Sequence, residues 1–338
     1  MERNLKALTL RQLSELGEKH YNGIQIYRWI WKRGEENIEN FTDISKKLRK
    51  KLIDEGYFVG KIQEKFRIHS SDGSIKFVFE DGYESVYMPE DDRVTVCVSS
   101  QLGCALKCNF CATGLLGFKR NLKAWEIADQ VLQISKKLNS KVTNVVFMGM
   151  GEPLLNFENV KQAIRIMTSH IGLNIGARHI TISTSGIVPK IYELAEFDRR
   201  VKLAISLHSA IEEKRVLIMP IAKAYSLNDL KNSLIYYLQK QRRRITIEYI
   251  ILKGFNDKDE DVKALKKFIQ GLNCKINLIP YNRVDYFSWE VPSEEDVYQF
   301  YDKLKKELDV VITIRWSRGR DVYGACGQLG FEILNKAK

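Results

Sequence analysis

Six short apolar runs after Arg93 constrain the fold more than any other feature of this sequence. They are rich in β-branched residues and span 94–98, 142–148, 179–184, 201–207, 245–252 and 276–279. Helical segments separate them, and one segment carries an apolar stripe formed by Ile127, Val131, Ile134 and Leu138. Strands that alternate with helices predict an α/β fold with a parallel, barrel-like sheet, and a doubly wound sheet is the alternative.

Small and polar residues follow five of the six predicted strands, at 99–101, 149–153, 183–186, 206–208 and 280–282. In a parallel barrel the carboxyl ends of the strands meet on one face, and sites collect there. The segment after the first strand leads directly into a group of three cysteines. We therefore expect the five segments to line one pocket around those cysteines.

Cys104, Cys108 and Cys111 have the spacing C-x3-C-x2-C. Three thiolates this close cannot all pair into disulfides, but they can close around one metal centre. A structural zinc site takes four protein ligands, and no fourth Cys or His lies nearby in the sequence. The pattern favours a four-iron cluster with one iron left open to bind a small molecule. Three buried cysteines, or zinc with a distant fourth ligand, are the alternatives.

Features of the whole sequence indicate the compartment and the kind of partner. No apolar run approaches the roughly 18 residues of a membrane span, and the start lacks the pattern of a signal peptide. We therefore expect a cytoplasmic protein without a membrane partner, in which six cysteines act as metal ligands or catalysts. The net charge of +12 suggests a polyanionic partner, usually nucleic acid. Residues 1–92 hold 16 basic and 17 acidic side chains, so the positive excess lies in residues 93–338.

Residues 1–92 differ in pattern from the rest and are predicted to form an accessory domain. Short helices are expected to about residue 55, followed by strands of a small meander over 61–89 with turns at 72–73 and 81–82. Aromatic and basic residues interleave at 24–33, and a basic run occupies 46–51. These segments could contact RNA by stacking and phosphate pairing, or they could be a small core with a solvated face. Residues 93–338 are predicted to form the barrel and a C-terminal extension.

The predicted pocket suits a ligand that has both an amine and a carboxylate. An open iron can chelate both groups, Glu152 can accept hydrogen bonds from the amine, and Gly149 and Gly151 let the backbone approach closely. Phe110 would cover the cluster and exclude water. The implied ligand is S-adenosylmethionine, with neutral donors and acceptors from Ser183, Ser206, His208 and Asn282. Taken singly, the histidine reads as a satisfied buried side chain and the others as turn residues.

The cysteine spacing after the first strand and Gly-Glu-Pro after the second resemble the radical S-adenosylmethionine (radical SAM) superfamily. Further segments resemble its methyltransferases that act on carbon 2 of adenosine in 23S rRNA and tRNA, namely 98–104, 147–154, 182–186, 205–208, 277–280 and 325–329. This resemblance implies an incomplete six-stranded β/α barrel with an N-terminal accessory domain. It also implies a monomer that receives electrons from an external donor.

The resemblance assigns roles to individual residues. Cys104, Cys108 and Cys111 would hold a [4Fe–4S] cluster. Cys326 would be the cysteine that becomes methylated, and Cys97 its partner. Seven residues would hold S-adenosylmethionine: Gly151, Glu152, Ser183, Ser206, Leu207, His208 and Asn282. Glu84 matches the family's proton acceptor by its position, although an isolated Glu on a strand is usually solvated.

The implied chemistry explains why two extra cysteines are needed. Carbon 2 of adenine is electrophilic, so a methyl cation donor does not alkylate it, whereas a carbon radical can add to it. One S-adenosylmethionine would methylate Cys326, and a second would give a 5′-deoxyadenosyl radical that takes a hydrogen from the S-methyl group. The carbon radical would add to the base, Glu84 would remove the carbon-2 proton, and Cys97 would attack the Cys326 sulfur. Product would leave as a disulfide forms.

Three other functions fit part of this pattern. The related resistance methyltransferases modify carbon 8 of an rRNA adenosine and share both reactive cysteines, but they resemble this chain less at Pro153. A radical enzyme acting on protein or a small metabolite would need no methyl-carrying cysteine. A non-catalytic iron–sulfur protein that binds RNA is the third alternative.

The segment around Cys326 departs from the family pattern at Tyr323 and Gly324, where small residues are usual. This change could alter how the tail folds over the pocket. A cysteine between small residues in a polar tail is expected to be exposed and flexible enough to react. Cys274 has no role in the scheme and is expected to be a small buried apolar residue.

Overall fold

The computed structural model describes residues 3–197 and 200–336. Its helices are α1 (Leu10–Leu16), α2 (Tyr21–Trp31), α3 (Lys46–Asp54), α4 (Ala112–Leu115), α5 (Ala124–Leu138), α6 (Phe157–Thr168), α7 (Val188–Ala195), α8 (Glu212–Ile218), α9 (Leu227–Gln241), α10 (Asp259–Ile269), α11 (Glu294–Glu307) and α12 (Phe331–Lys336). In the described part of the chain, none of these helices has the length and apolar character needed to cross a bilayer.

The strands form one large sheet and one short ribbon. They are β1 (Glu64–His69), β2 (Ile75–Phe79), β3 (Glu84–Glu90), β4 (Arg93–Cys97), β5 (Gln101–Leu102), β6 (Arg120–Asn121), β7 (Asn144–Phe147), β8 (Ile180–Thr184), β9 (Lys202–Ser206), β10 (Ile245–Ile251), β11 (Cys274–Pro280) and β12 (Ile312–Ile314). The large sheet has the order β1-β2-β3-β4-β7-β8-β9-β10-β11-β12, and β5 pairs with β6.

The parallel part of the sheet runs in chain order from β4 to β12. A doubly wound sheet reverses its strand order at a switch point, and no such reversal occurs here. The predicted barrel is therefore confirmed, and the further strand expected over 310–316 is present as β12 beside the other six. Because the sheet begins at β1 and ends at β12, the barrel is open.

Helices cover the outside of this sheet with the apolar faces that the sequence predicts. On α5, Ile127, Val131 and Ile134 are buried, whereas Leu138 at the last turn is only half-buried. A capping box between Ser293 and Asp296 starts α11 as its sequence requires.

The N-terminal helices and the meander are joined to the barrel in two ways. Strands β1 to β3 are antiparallel, and β3 pairs directly with β4, so the sheet runs without a break across residue 92. In addition, Lys6 makes a fully buried ion pair of 2.6 Å with Asp129 on α5. The division of the chain at residues 92 and 93 stays a prediction.

Candidate active site

The three clustered cysteines lie on the loop between β5 and α4, which the backbone holds in a fixed shape. The N–H of Cys104 donates to Gly117 O over 3.1 Å, and that of Asn109 donates to Ile218 O over 2.8 Å. Gly103 has a φ of +72°, and a Cβ there would meet Gly117 O at 1.7 Å, so only glycine fits. The tight loop therefore presents all three side chains to one cavity.

This cavity, which we call the cluster pocket, has a volume of about 140 Å³. It lies at the carboxyl ends of the parallel strands, where the sequence predicts a shared site. Its lining includes Cys104, Cys108, Cys111, Gly151, Glu152, Ser183, Ser206 and His208. Two further residues assigned by the resemblance, Leu207 and Asn282, are buried nearby but do not line it.

The three thiols fit a cluster better than a single ion. Within residues 3–197 and 200–336, no three His, Cys, Asp or Glu side chains are arranged to hold one metal ion. A four-iron cluster takes each thiolate on a different iron, so its ligands need not converge on one point. Burial raises the pKa of Cys104 to about 12 and that of Cys108 well above its usual value. These thiols therefore keep their protons at neutral pH unless a cationic centre is bound, and such a centre would favour the thiolate form.

A buried arginine adds positive charge beside this pocket. Arg215 is 1% exposed and donates to Leu207 O over 3.2 Å and to Ser185 O over 2.7 Å. Burial lowers its pKa to about 10, and the nearby Glu212 and Cys108 oppose that shift. A fixed cation near Cys108 favours an anionic thiolate centre at this place.

Glu152 and His208 use part of their hydrogen-bonding capacity inside the protein. The two Glu152 oxygens accept the N–H groups of Leu154 (3.0 Å) and Ser185 (2.8 Å), which fixes the carboxylate at the pocket wall. His208 Nδ1 accepts the N–H of Ile250 over 3.0 Å, so the neutral ring carries its proton on Nε2. Burial lowers the pKa of His208 to about 3. The buried histidine thus has a hydrogen-bond partner inside the protein and also lines the pocket.

Other predicted pocket residues lie where the strand ends bring them together. Ser183 and Ser206 stand on neighbouring strands with their hydroxyl oxygens 3.5 Å apart. Phe110 is 8% exposed and meets the His208 ring edge-on, with centroids 5.0 Å apart. A Cβ at Gly151 would meet Gln101 Cβ at 2.4 Å, so this glycine is needed for packing of the chain itself.

A second, larger cavity of about 760 Å³ occupies the barrel interior. The interior of a closed β/α barrel is normally filled by branched apolar side chains, whereas polar residues from successive strands face this cavity. They include Thr95, Asn144, Thr181, Thr246, Asn277 and Thr313. We call it the barrel cavity. It shares Met148, Glu248 and Cys326 with the cluster pocket, so the two cavities meet at these residues.

Cys97 and Cys326 both line the barrel cavity, and both are free thiols. Cys97 is the last residue of β4 and is 6% exposed. Burial and the nearby Cys326 raise its pKa to about 12, although Arg315 opposes the shift. Burial likewise raises the pKa of Cys326, and Arg315 again opposes the shift. The arginine is therefore the cation that favours thiolate formation at both cysteines.

The expectation of an exposed Cys326 on a free tail is wrong. The thiol is half-buried, and distant parts of the chain hold its backbone. Asn282 Nδ2 donates to Cys326 O over 3.0 Å and to Ser317 Oγ over 2.9 Å. The N–H of Ala112 donates to Gly327 O over 2.7 Å, which ties the tail to the cysteine loop. The segment that carries Cys326 is thus anchored at the junction of the two cavities.

The two unusual tail residues have clear structural roles. Tyr323 has a φ of 50° and stacks on Phe331 with ring centroids 3.8 Å apart. The N–H of Gly324 donates to Gly319 O over 2.7 Å, and a Cβ there would approach that oxygen to 3.2 Å. Together they close a tight turn that leads the chain into the segment with Cys326.

Glu84 is fully buried, contrary to the usual solvated state of an isolated strand glutamate. Its Oε2 accepts the N–H of Gly330 over 3.1 Å, and its backbone carbonyl accepts Ser99 Oγ over 2.5 Å. The carboxylate therefore contacts the tail four residues beyond Cys326. It lines neither cavity. Cys274 is 5% exposed, as expected for a small buried residue.

Three charged residues near these cavities escape the sequence reasoning: Arg215, Glu248 and Arg315. The only sequence signal for Glu248 is a carboxylate in the middle of an otherwise apolar strand. Arg215 lies on a helix and Arg315 just after β12, where a basic residue is ordinary. Their burial follows from the tertiary fold, which no local pattern reveals.

Two family models match the chain. The model described as the Radical SAM superfamily matches residues 98–266. The model described as the ribosomal RNA large subunit methyltransferase N-terminal domain matches residues 3–57. The first covers the cysteine loop and most of the barrel, and the second covers the N-terminal helices.

Individual proteins are similar over nearly the whole chain. A probable dual-specificity RNA methyltransferase RlmN of Clostridioides difficile (strain 630) is 46% identical over 334 residues, which cover 96% of each chain. One of Dictyoglomus turgidum with the same description is 43% identical, covering 93% of this chain and 91% of the relative. The crystal structure of a radical SAM methyltransferase from Sphaerobacter thermophilus is 37% identical, with a TM-score of 0.90 over 97% of this chain and 99% of that one.

Proposed function

Because the chain belongs to the RlmN family of radical SAM RNA methyltransferases, we propose that it methylates carbon 2 of adenosine in 23S rRNA and in tRNA. Its cofactors are a [4Fe–4S] cluster and S-adenosylmethionine. The enzyme works in the cytoplasm as a monomer and takes electrons from an external donor. The observation that carries this proposal is the position of Cys326, which borders both the cluster pocket and the barrel cavity that holds Cys97.

The cluster pocket holds the cofactors. Cys104, Cys108 and Cys111 bind the cluster, which when bound supplies the electron that cleaves S-adenosylmethionine to a 5′-deoxyadenosyl radical. Five residues that line the pocket and two that are buried beside it bind S-adenosylmethionine: Gly151, Glu152, Ser183, Ser206 and His208, with Leu207 and Asn282. The neutral His208 and the two serines act as hydrogen-bonding groups, while Phe110 excludes water.

The two remaining cysteines carry the methyl group and release the product. Cys326 accepts a methyl group on its sulfur and, after loss of one hydrogen from that group, bonds through the carbon to the adenine. Glu84 takes the carbon-2 proton, and the one electron left on the adduct would return to the cluster that supplied it, so the ring becomes aromatic again. Cys97 then attacks the Cys326 sulfur, so that an S–S bond forms as the S–C bond breaks, and the released carbon takes a proton to become the methyl group. The external donor reduces this disulfide and restores both thiols.

The first experiment is the Cys97→Ala variant, incubated with reductant, S-adenosylmethionine and in vitro transcribed 23S rRNA. Without Cys97, the S–C bond to the base persists, so a covalent protein–RNA adduct should accumulate on denaturing gels. The matched control is Cys274→Ala, which removes a buried thiol (5% exposed) outside both cavities and should behave as the wild type. Normal release of methylated RNA by Cys97→Ala would refute the role of this cysteine.

The complementary variant, Cys326→Ala, removes the methyl carrier. Cleavage of S-adenosylmethionine should persist, while methylation of RNA should be abolished. Nucleoside mass spectrometry of the wild-type product locates the methyl group. Methylation at carbon 8 would assign the chain to the resistance-type reaction, which shares both cysteines, and any RNA methylation by Cys326→Ala would remove Cys326 from the mechanism.

A further inference from the structure

Glu248 is a buried carboxylate that the proposed reaction leaves without a role. It lies in the middle of β10, is 3% exposed, and lines both the barrel cavity and the cluster pocket. Its neighbour across the sheet on β9 is Ser206, which also lines the cluster pocket. The side chain therefore stands at the junction where Cys326 is found.

One oxygen of this carboxylate is fixed and the other is unpaired. Asn277 Nδ2 donates to Glu248 Oε1 over 3.1 Å, and Thr313 Oγ1 donates to Asn277 Oδ1 over 2.5 Å. These three side chains come from the adjacent strands β10, β11 and β12. Oε2 is buried and has no hydrogen-bond partner among the residues that the structure describes. A rigid network thus presents one acceptor to the cavity.

A buried, unpaired carboxylate oxygen is costly for the folded protein. Such a group loses its hydration without a replacing hydrogen bond, and native proteins keep few of them. Burial raises the pKa of Glu248, while the nearby Arg315 and Lys275 and the hydrogen bond from Asn277 oppose that shift. A purely structural glutamate at this place would be expected to pair both oxygens. The second oxygen therefore points to a ligand that donates a hydrogen bond.

The rest of the barrel cavity indicates the class of that ligand. Basic side chains line it, and five of them come from strand starts and from the segment before β10: Arg93, Lys202, Arg243, Arg244 and Lys275. Burial lowers the pKa of Lys202, and the neighbouring Lys275, Arg93 and Arg243 lower it further, so several of these cations act on one another. Such a group attracts phosphate. Polar side chains also line the cavity, so it suits a nucleotide whose phosphate meets these cations and whose base points toward Cys326.

We propose that Glu248 selects the target base by accepting a hydrogen bond from the exocyclic amine of adenine. This inference rests on the proposed function and adds the residue that recognises the base. In adenine the amine is attached to carbon 6, and only N1 separates carbon 6 from carbon 2 in the ring. A carboxylate that holds the amine can therefore keep carbon 2 against Cys326. Hypoxanthine has a carbonyl oxygen at the same position, which the carboxylate repels.

The isosteric variant Glu248→Gln tests this directly. Asn277 should continue to donate to the remaining side-chain oxygen, so the new amide NH₂ takes the place of Oε2 and faces the cavity. An acceptor then becomes a donor. This donor opposes the amine of adenine and matches the carbonyl oxygen of hypoxanthine. The variant should lose adenosine preference and gain relative preference for inosine.

The experiment uses the holoenzyme and a 23S rRNA fragment prepared with adenosine or inosine at the position expected to be modified. Fragment affinity is measured by fluorescence anisotropy, and kcat/KM by methyl transfer. Wild-type enzyme should favour adenosine by about 10- to 100-fold, the usual value of a good base contact. In Glu248→Gln that ratio should fall by at least tenfold. The matched control is Glu126→Gln, a carboxylate 6% exposed on α5 outside both cavities, which should keep the wild-type ratio.

The outcomes separate a failure of the role given to Glu248 from a failure of the proposed methyltransferase function. Methylation of Cys326 without RNA, followed by mass spectrometry, checks that the variant is folded and binds its methyl donor. If Cys326 is methylated normally but both RNAs weaken equally in Glu248→Gln, the glutamate is structural and the assignment fails. An unchanged preference for adenosine also overturns it, because a donor would then serve as well as an acceptor. If the wild-type enzyme methylates neither RNA, the proposed function itself is wrong.

Discussion

The buried ion pair between Lys6 and Asp129 offers a quantitative test of how the N-terminal segment is held on the barrel. Their charged atoms are 2.6 Å apart, with the side chains 1% and 0% exposed. Asp129 also accepts the N–H of Ile62 over 2.9 Å and the amide of Gln133 over 3.3 Å. One carboxylate on α5 therefore fixes the chain both before α1 and ahead of β1.

Replacing Lys6 by Met should destabilise the protein by about 3–5 kcal/mol, the usual cost of leaving one member of a buried pair uncompensated. Asp129→Asn should cost a similar amount, because it leaves the buried ammonium group of Lys6 without its partner. The double variant should cost much less than the two singles together, since no unpaired charge remains. The coupling energy from this cycle measures the interaction itself.

Urea unfolding followed by tryptophan fluorescence and circular dichroism supplies the free energies of unfolding. The matched control is Lys47→Met, which breaks a surface pair with Glu18 whose side chains are 84% and 69% exposed. Such pairs are screened by water, so this variant should unfold like the wild type. Additive losses in the Lys6 and Asp129 cycle would refute the view that the two charges neutralise each other in the core.

Two further predictions concern the reactive cysteines. Burial raises the pKa of Cys97 to about 12, so the rate of its alkylation by iodoacetamide should rise tenfold per pH unit from pH 8 to 11. At pH 8 this rate should be on the order of 10³ lower than for the same thiol in the unfolded chain. Peptide mapping measures the rate, and a plateau near pH 9 would contradict the prediction. Asn282→Ala removes the hydrogen bonds to Ser317 and Cys326, so it should cost about 1–2 kcal/mol and speed alkylation of Cys326 but not of Cys97. Equal alkylation rates of Cys326 in the variant and the wild type would show that other contacts hold the tail.

Local sequence pattern was sufficient to predict the parallel barrel and the cluster pocket. The strands carry apolar runs of the right length, and the polar residues after them fall on one face for geometric reasons alone. Ser183 and Ser206, 23 positions apart in the chain, meet at 3.5 Å because their strands are neighbours. The order of the strands along the chain therefore determines which residues meet in this part of the site.

The barrel cavity could not be predicted in the same way. A strand pattern tells which residues share a face, but it does not tell whether that face is packed or hollow. Thr246, Glu248 and Ile250 share one face of β10. Only the assembled barrel shows that a cavity lies in front of that face. Glu84 is a similar case, because its burial depends on a tail that returns from residue 330.

The anchored position of Cys326 bears on how a single sulfur serves two cavities. In the proposed reaction this sulfur must meet a methyl donor in the cluster pocket and later a base in the barrel cavity. Since Cys326 already lines both, rotation about its Cα–Cβ bond can exchange the sulfur between them while the backbone stays fixed by Asn282. A mobile tail would lose the placement that brings a short-lived carbon radical to the base. The hydrogen bonds that hold the segment are therefore part of the catalytic design.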